Sequence, residues 1–303
     1  MRACPCPPTV SSVPGETFAD RVAGASASAG SCASGLVIIP AYNEAASLPR
    51  VLAELRTTLP ELDVLVVSDG STDATAAVSR AAGVAVVELP FNLGIGGALR
   101  TGFRYAVDEG YGTAVQFDAD GQHDPTTVQR LLHAVKDGAD LVIGSRFMEG
   151  GTPTYHISRL RRLAMRALEW IVRRLVGRRF TDTSSGLRGF SAPMLVYFAE
   201  HYPVEYMDSV EALVMASNAG FDVREVPAGM LGRIGGAPST RGWRLAYYYV
   251  RLLVVLLTSY TRPAQRHRTG HSDREAPVPD APCVVEQLVD EARIAEPVTG
   301  PTA

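Results

Sequence analysis

The chain has 303 residues, of which 46% are hydrophobic and 20% are charged, and this is ample for a large folded domain. Its net charge is only −3, which argues against a general nucleic-acid-binding protein. The four cysteines lie near the chain ends, outside the region that we predict to fold, so a disulfide framework is not expected. The amino terminus lacks the apolar run of a secretory signal, and we predict a cytoplasmic protein.

Composition and periodicity divide the chain into four segments. Residues 1–34 are rich in Ala, Ser, Gly and Pro and are predicted to be disordered. Residues 35–242 form the predicted folded domain, and residues 243–262 a predicted amphipathic helix. Residues 263–303 are acidic and rich in proline, and they are also predicted to be disordered.

Short apolar runs alternate with amphipathic stretches through the folded region. The predicted strands span residues 36–39, 64–67, 84–88, 113–117 and 140–143, and the helices between them span residues 47–58, 74–82, 96–109 and 126–136. Strands separated by helices of this length are typical of βαβ units, so the sequence predicts an α/β fold with a mostly parallel central sheet flanked by helices. Ligands of such sheets bind beyond the carboxyl ends of the strands.

Carboxylates follow three of these strands. The motifs are Pro-Ala-Tyr-Asn-Glu at residues 40–44, Ser-Asp-Gly-Ser-Thr-Asp at residues 68–73 and Asp-Ala-Asp-Gly-Gln at residues 118–122. For Asp69 or Asp73 alone, a turn or a helix cap is an equally good interpretation. Asp118 and Asp120 alternate in an extended segment, and their charges would repel unless a cation or substrate donors lay between them. Such ligands suit Mg²⁺ or Mn²⁺, bound together with substrate phosphates.

In this order and spacing, the three motifs resemble those of family 2 glycosyltransferases with the GT-A fold, and most closely the polyprenyl-phosphate branch, the relatives of dolichol-phosphate mannosyltransferase. The similarity extends over residues 35–241. It implies an enzyme that transfers a hexose with inversion from a nucleotide-diphosphate sugar, GDP-mannose or UDP-glucose, to a polyprenyl or dolichyl phosphate. It also implies a requirement for Mg²⁺ or Mn²⁺.

The resemblance assigns roles to residues at the strand ends. Pro40, Tyr42 and Glu44 would line the nucleoside pocket, and Val67 and Asp69 would contact the base.

Further along the chain, Asp118 and Ala119 would lie near the ribose and the sugar. Asp120 would hold the cation together with Gln122, and Asp118 is the third implied metal ligand. Arg146, which follows the fifth strand, would meet the phosphates, so Asp120 and Arg146 are the implied catalytic residues.

A glycine-rich segment at residues 92–97, Asn-Leu-Gly-Ile-Gly-Gly, opens a helix after the third strand. Leu99 replaces the third glycine of a dinucleotide fingerprint, which argues against a Rossmann dehydrogenase. The segment either allows close helix packing or contacts the donor.

Eight arginines and one acidic residue, Glu169, lie between residues 159 and 179. Apolar residues recur at helical spacing over residues 159–176, which predicts a helix with one buried face and one basic face. The basic face is either simply solvated or suited to an anionic membrane surface. The resemblance places six residues near the acceptor: Arg159, Arg161, Arg162, Asp182, Arg188 and Glu211. Asp182 or Arg188 could instead belong to a buried pair.

In the relatives, an arginine and then a lysine follow the last strand of the domain. Arg233 matches the arginine and would bind the donor, but Ser239 or Thr240 stands where the lysine would be, with Arg241 beside it. Residues 243–260 are apolar, although shorter than the roughly 20 residues that span a bilayer and interrupted by two arginines. These residues predict a helix in the membrane interface and a peripheral protein at the inner face of the membrane.

Three other functions are compatible with parts of the sequence. The same fold could glycosylate a soluble or glycan hydroxyl, with Asp208 or Glu211 as the general base. A nucleotidyltransferase would need a glycine-rich basic loop after its first strand, where residues 40–44 are acidic. A non-catalytic nucleotide-sugar-binding module would be expected to have lost Asp118 or Asp120, and both are present.

Overall fold

The computed structural model describes residues 35–148, 169–203 and 208–230, with the backbone alone for Asp208. The predictions for residues 1–34, for Arg159, Arg161, Arg162 and Arg233, and for residues 231–303 lie outside this part of the chain.

Seven strands form a single sheet in the described residues. They are β1 (Leu36–Ala41), β2 (Asp63–Asp69), β3 (Ala85–Leu89), β4 (Thr113–Gln116), β5 (Leu141–Ser145), β6 (Arg188–Ser191) and β7 (Val223–Pro227). Their order across the sheet is β3-β2-β1-β4-β6-β5-β7. β6 runs antiparallel to both of its neighbours, and the other neighbouring strands are parallel. The predicted mostly parallel α/β fold is therefore confirmed, with one antiparallel strand that is not among the five predicted strands.

The helices in the described residues are α1 (Leu48–Thr58), α2 (Thr75–Ala81), α3 (Ile95–Asp108), α4 (Thr126–Lys136), α5 (residues 169–176), α6 (Ala192–His201) and α7 (Asp208–Asn218). The first four begin and end within one residue of their predicted bounds. α5 is the described part of the predicted basic helix, and it ends at the predicted residue. None of the helices described here is both long and apolar enough to cross a bilayer.

Helices cover both faces of the sheet, so the central strands are apolar throughout rather than alternating. In β1, Leu36 and Ile38 belong to one core cluster, and Val37 and Ile39 belong to the other. All four are at most 1% exposed, and burying each side chain contributes about 1.5–3 kcal/mol. Gly102 of α3 lies so close to β1 that a Cβ there would be 2.4 Å from Ile38 Cγ2.

Candidate active site at one edge of the sheet

Loops from both kinds of strand meet at one edge of the sheet. The parallel strands bring their carboxyl ends to this edge. Since β6 is antiparallel, it brings its amino end there, and with it the residues that precede Arg188. Arg188 is paired with Gln116 of β4 on one side and with Ile143 of β5 on the other. The segments after β4, after β5 and before β6 are therefore neighbours.

Asn43 joins the loop after β1 to the loop after β2. Its backbone N–H donates to Ser71 Oγ at 3.1 Å, and its Oδ1 accepts the Thr72 N–H at 2.8 Å. Its φ of 56° lies in the left-handed region, which asparagine adopts more readily than most residues. Tyr42, predicted to line the nucleoside pocket, precedes this turn and is 50% exposed.

The acidic residues around this turn also hold the local structure. Glu44 Oε2 accepts a 2.6 Å hydrogen bond from Ser47 Oγ at the start of α1. Asp73 accepts the N–H groups of Thr75 and Ala45, at 2.9 and 3.1 Å, and also the Thr75 hydroxyl. Burial alone would raise the pKa of Asp73, but these hydrogen bonds outweigh it and lower the pKa. Asp73 is therefore a turn and cap residue, one of the two interpretations that the sequence left open.

Asp69 is committed to the glycine-rich segment. Its two carboxylate oxygens accept the N–H groups of Leu93 at 2.7 Å and Gly94 at 2.9 Å. The residue is 3% exposed, and burial raises its pKa although the two backbone hydrogen bonds oppose the rise. The predicted contact of this carboxylate with a base does not fit the conformation described, because the protein backbone already occupies it.

The wall of the predicted nucleoside pocket differs from the prediction in one further residue. The Val67 side chain is 0% exposed within the core, so only its backbone could touch a base. Pro40 is paired with Val67 across the sheet and is half-buried. Phe91, which no motif indicated, is 63% exposed beside the segment that Asp69 holds.

The Asp118 carboxylate lies between a histidine and a glycine. His123 Nδ1 accepts the Asp118 N–H at 3.3 Å, and His123 Nε2 lies 3.4 Å from Asp118 Oδ2. On the other side, a Cβ at Gly186 would lie 2.6 Å from Asp118 Oδ2. His123 is 7% exposed, with its ring edge-to-face on Phe117 at a centroid distance of 5.3 Å. Sequence reasoning gave no role to His123 or Gly186, since both contacts depend on the folded chain.

The implied metal ligands fit a cation that substrate oxygens help to hold. Asp118 Oδ1 is buried and has no hydrogen-bond partner in the protein. Asp120 Oδ1 accepts the Gln122 N–H at 3.0 Å in the turn that follows, and both residues are half-buried. Within the described residues, no group of three His, Cys, Asp or Glu side chains is arranged to hold a metal ion. This pair of carboxylates would thus need phosphate oxygens to complete a coordination shell.

Arg146 is paired with Asp182. Asp182 Oδ2 lies 2.6 Å from Arg146 Nε, and Oδ1 lies 2.8 Å from Nη2, which also donates to Ser184 Oγ at 2.9 Å. The two side chains are 13% and 0% exposed, respectively. Direct contact between Asp182 and an acceptor, as predicted, therefore does not fit. The buried-pair alternative holds, although the partner is Arg146 rather than Arg188.

Arg188 is also misassigned as an acceptor residue. It is 0% exposed, and its guanidinium donates to the carbonyl oxygens of Ser185 at 2.9 Å and Ser209 at 2.8 Å. These contacts attach the loop before β6 to the start of α7. Glu211 lies further along α7 and is half-buried.

A small cleft of about 80 Å³ joins the two halves of the site. Its lining includes Asp118, His123, Arg146, Ser184, Gly186 and Met230. The Arg146–Asp182 pair is neutral overall, so the carboxylates that follow β4 leave negative charge at this edge. A cation and a phosphate group would be complementary to such an arrangement.

The sequence model of Glycosyl transferase family 2 matches residues 36–196, which is more than half of the chain. The chain belongs to glycosyl transferase family 2. It is therefore a glycosyltransferase, and the matched residues include every strand end described above except that of β7.

Two relatives of this glycosyltransferase carry descriptive names. It is 43% identical over 169 residues to the undecaprenyl-phosphate mannosyltransferase of Micrococcus luteus, covering 53% of this chain and 67% of the relative. It is 35% identical over 204 residues to the polyprenol monophosphomannose synthase of Mycolicibacterium smegmatis, covering 63% of this chain and 75% of the relative.

Among solved structures, the glycosyltransferase is similar to glucosyl-3-phosphoglycerate synthase from Mycobacterium tuberculosis, crystallised with Mn²⁺, UDP-glucose and phosphoglyceric acid. The TM-score is 0.60, with 22% identity, and the match covers 84% of this chain and 87% of that one. At this level of identity the likeness establishes the GT-A fold alone.

Proposed function

We propose that this glycosyltransferase transfers a hexose, with inversion, from a nucleotide-diphosphate sugar to a polyprenyl phosphate. The observation that carries the proposal is the cleft in which Asp118 of the Asp-Ala-Asp segment and the fixed guanidinium of Arg146 meet. The names of the two relatives support mannose as the hexose and a polyprenyl phosphate as the acceptor. GDP-mannose is accordingly the first donor to test, and UDP-glucose is the second.

Asp118, Asp120 and Gln122 are the proposed ligands of Mg²⁺ or Mn²⁺. The buried, unpartnered Asp118 Oδ1 supports this assignment, because an uncompensated carboxylate oxygen away from water costs free energy. When bound, the cation would neutralise the charge of the diphosphate.

The reaction that we propose is a single in-line displacement. An oxygen of the acceptor phosphate forms a bond to the anomeric carbon while the bond from that carbon to the diphosphate oxygen breaks, and the nucleoside diphosphate leaves. The acceptor phosphate is ionised near neutral pH, so it needs no strong general base. Arg146, fixed by Asp182, would donate hydrogen bonds to the leaving diphosphate from a position set before the substrate binds.

The basic helix supports a membrane surface as the location of the acceptor. Trp170 on α5 is 60% exposed, and the Arg174 guanidinium lies over its ring, 5.4 Å from the centroid. Arg173 is exposed as well, while Val172 on the other side of the helix is buried in the core. Tryptophan is enriched at membrane interfaces, and each basic residue near an anionic leaflet contributes about 1 kcal/mol. We therefore propose peripheral binding at the inner face of the membrane.

The test is an incubation of the purified enzyme with Mn²⁺, radiolabelled GDP-mannose or UDP-glucose, and undecaprenyl phosphate in detergent, followed by organic extraction. We expect label from one donor in the organic phase, in a product that mild acid cleaves. Label that remains wholly in the aqueous phase would contradict the lipid acceptor. Transfer to an added soluble sugar would instead support a hydroxyl acceptor.

A further inference from the structure

Glu225 is an acidic residue on β7 that no sequence motif indicated. It lies on an edge strand, paired with Ile143 of β5, three residues before Arg146. Its carboxylate accepts the Thr181 N–H at 2.9 Å on each oxygen, the Asp182 N–H at 2.9 Å and the Thr181 hydroxyl at 3.1 Å. Three donors of two consecutive residues thus converge on one side chain.

These contacts fix the backbone from which the Asp182 side chain projects. Thr181 is held from a second side as well, because its hydroxyl lies 2.6 Å from Ser145 Oγ on β5. Asp182 then holds Arg146 through two side-chain contacts, and it also accepts the Arg146 N–H at 3.2 Å. A continuous series of hydrogen bonds therefore runs from Glu225 to the guanidinium that lines the cleft.

The chemistry of the carboxylate suits this position. Both oxygens of Glu225 act only as acceptors, so they can take all of the converging N–H and O–H groups. A glutamine of the same shape offers one acceptor oxygen, and its NH₂ group would face donors. Hydrogen bonds to an ionised acceptor are also roughly twice as strong as neutral ones. A carboxylate at residue 225 therefore orders the Thr181–Asp182 backbone far better than an amide would.

We propose that Glu225 is a positioning residue for Arg146, which it places through Thr181 and Asp182 so that the guanidinium meets the donor diphosphate. The diphosphate contact rests on the proposed function, whereas the placement of Arg146 does not.

The test compares Glu225→Gln with Glu88→Gln. Glu88 is a matched control, because it also lies on an edge strand, β3, and it pairs with Arg80 away from the cleft. The first measurement is hydrogen exchange of the Arg146 Nε–H by NMR, with the signal assigned through its absence in Arg146→Lys. We expect exchange about tenfold faster in Glu225→Gln and unchanged in Glu88→Gln, since weaker charge-assisted hydrogen bonds loosen the pair. Unchanged exchange in Glu225→Gln would overturn the proposal.

The second measurement is calorimetric binding of GDP and UDP with Mn²⁺, together with donor KM and kcat. We expect Glu225→Gln to weaken nucleotide binding and raise KM by about tenfold, with little further effect in an Arg146→Lys background, because the two residues act through one contact. Additive losses in the double variant would indicate a merely structural role and overturn the positioning role. If the unmodified enzyme binds neither nucleotide, the proposed function fails, while the exchange measurement still decides the placement of Arg146.

Discussion

Arg146 and Asp182 form a two-point ion pair, with Nε–Oδ2 and Nη2–Oδ1 distances of 2.6 and 2.8 Å and no exposed surface on the aspartate side chain. Removing one member of a buried pair leaves the other charge without compensation, which costs about 3–5 kcal/mol. We expect Asp182→Ala to lower the free energy of unfolding by roughly 3 kcal/mol in urea denaturation.

The exposed Arg50–Glu54 pair on α1 gives the control for this measurement. Glu54→Ala should cost less than about 1 kcal/mol, because exposed ion pairs contribute little. Equal losses in the two variants would show that the Arg146–Asp182 pair has no special weight in stability.

Gly186 leaves the space that the Asp118 carboxylate occupies. In Gly186→Ala the new Cβ would lie 2.6 and 2.9 Å from the two carboxylate oxygens, so the carboxylate must move. We expect Mn²⁺-dependent nucleotide binding to weaken by about tenfold or more, since displaced metal ligands lose affinity steeply. Calorimetry checks this, and in an Asp118→Asn background the alanine should add little. A full additional loss there would show that Gly186 acts elsewhere.

Asp120 and Asp124 lie four residues apart and should respond differently to the same change. Asp124 accepts the Thr126 N–H at 2.9 Å and the Thr126 hydroxyl at 2.7 Å at the start of α4, so we expect Asp124→Asn to cost at most about 1 kcal/mol of stability and to keep its activity. We expect Asp120→Asn to lose activity by about 100-fold or more, because a cation ligand is lost. Transfer assays and thermal melts separate the two effects. Full activity of Asp120→Asn would rule out the metal role.

Trp170 offers a direct reading of membrane binding. The chain has two tryptophans, so Trp243→Phe leaves Trp170 as the sole fluorophore. We expect its emission to shift to shorter wavelength with anionic vesicles and not with neutral ones. Arg173→Gln with Arg174→Gln should weaken binding about 30-fold, at roughly 1 kcal/mol per arginine. Arg50→Gln with Arg56→Gln on α1 is the control, and an equal loss there would point to general charge attraction.

Asp73 gives a prediction for the pH dependence of stability. The hydrogen bonds from Thr75 and Ala45 outweigh burial and lower its pKa below the ordinary value of 3.8, so the folded state favours the ionised form. The resulting stabilisation is complete above pH 3.8 and is lost as the pH falls through the lowered pKa. The stability difference between the unmodified protein and Asp73→Asn should therefore shrink as the pH falls from 5 to about 2. A difference that does not vary with pH would contradict this.

The elements that local pattern specifies were predictable from the sequence. Apolar runs such as Leu36–Ile39 and the periodic helices between them locate the strands, and the rule for parallel sheets locates the edge where Asp118 and Arg146 meet. The strand β6 was not predictable in its place, because Arg188–Ser191 reads as the end of a polar turn. Glu225 was missed for a related reason: its partners lie 43 and 44 residues away, and only the fold brings them together.

β6 also has a consequence for the order in which this enzyme can be assembled. β4 carries the Asp-Ala-Asp segment and β5 carries Arg146, yet each pairs with β6, which follows both in the chain. A nascent chain that has emerged only as far as Ser145 can pair β1 to β4, but it has no strand onto which β5 can dock. Neighbouring strands lie about 4.8 Å apart, so β6 also sets β4 and β5 roughly 10 Å from each other. The two halves of the site therefore come into register only after Ser191 has been translated.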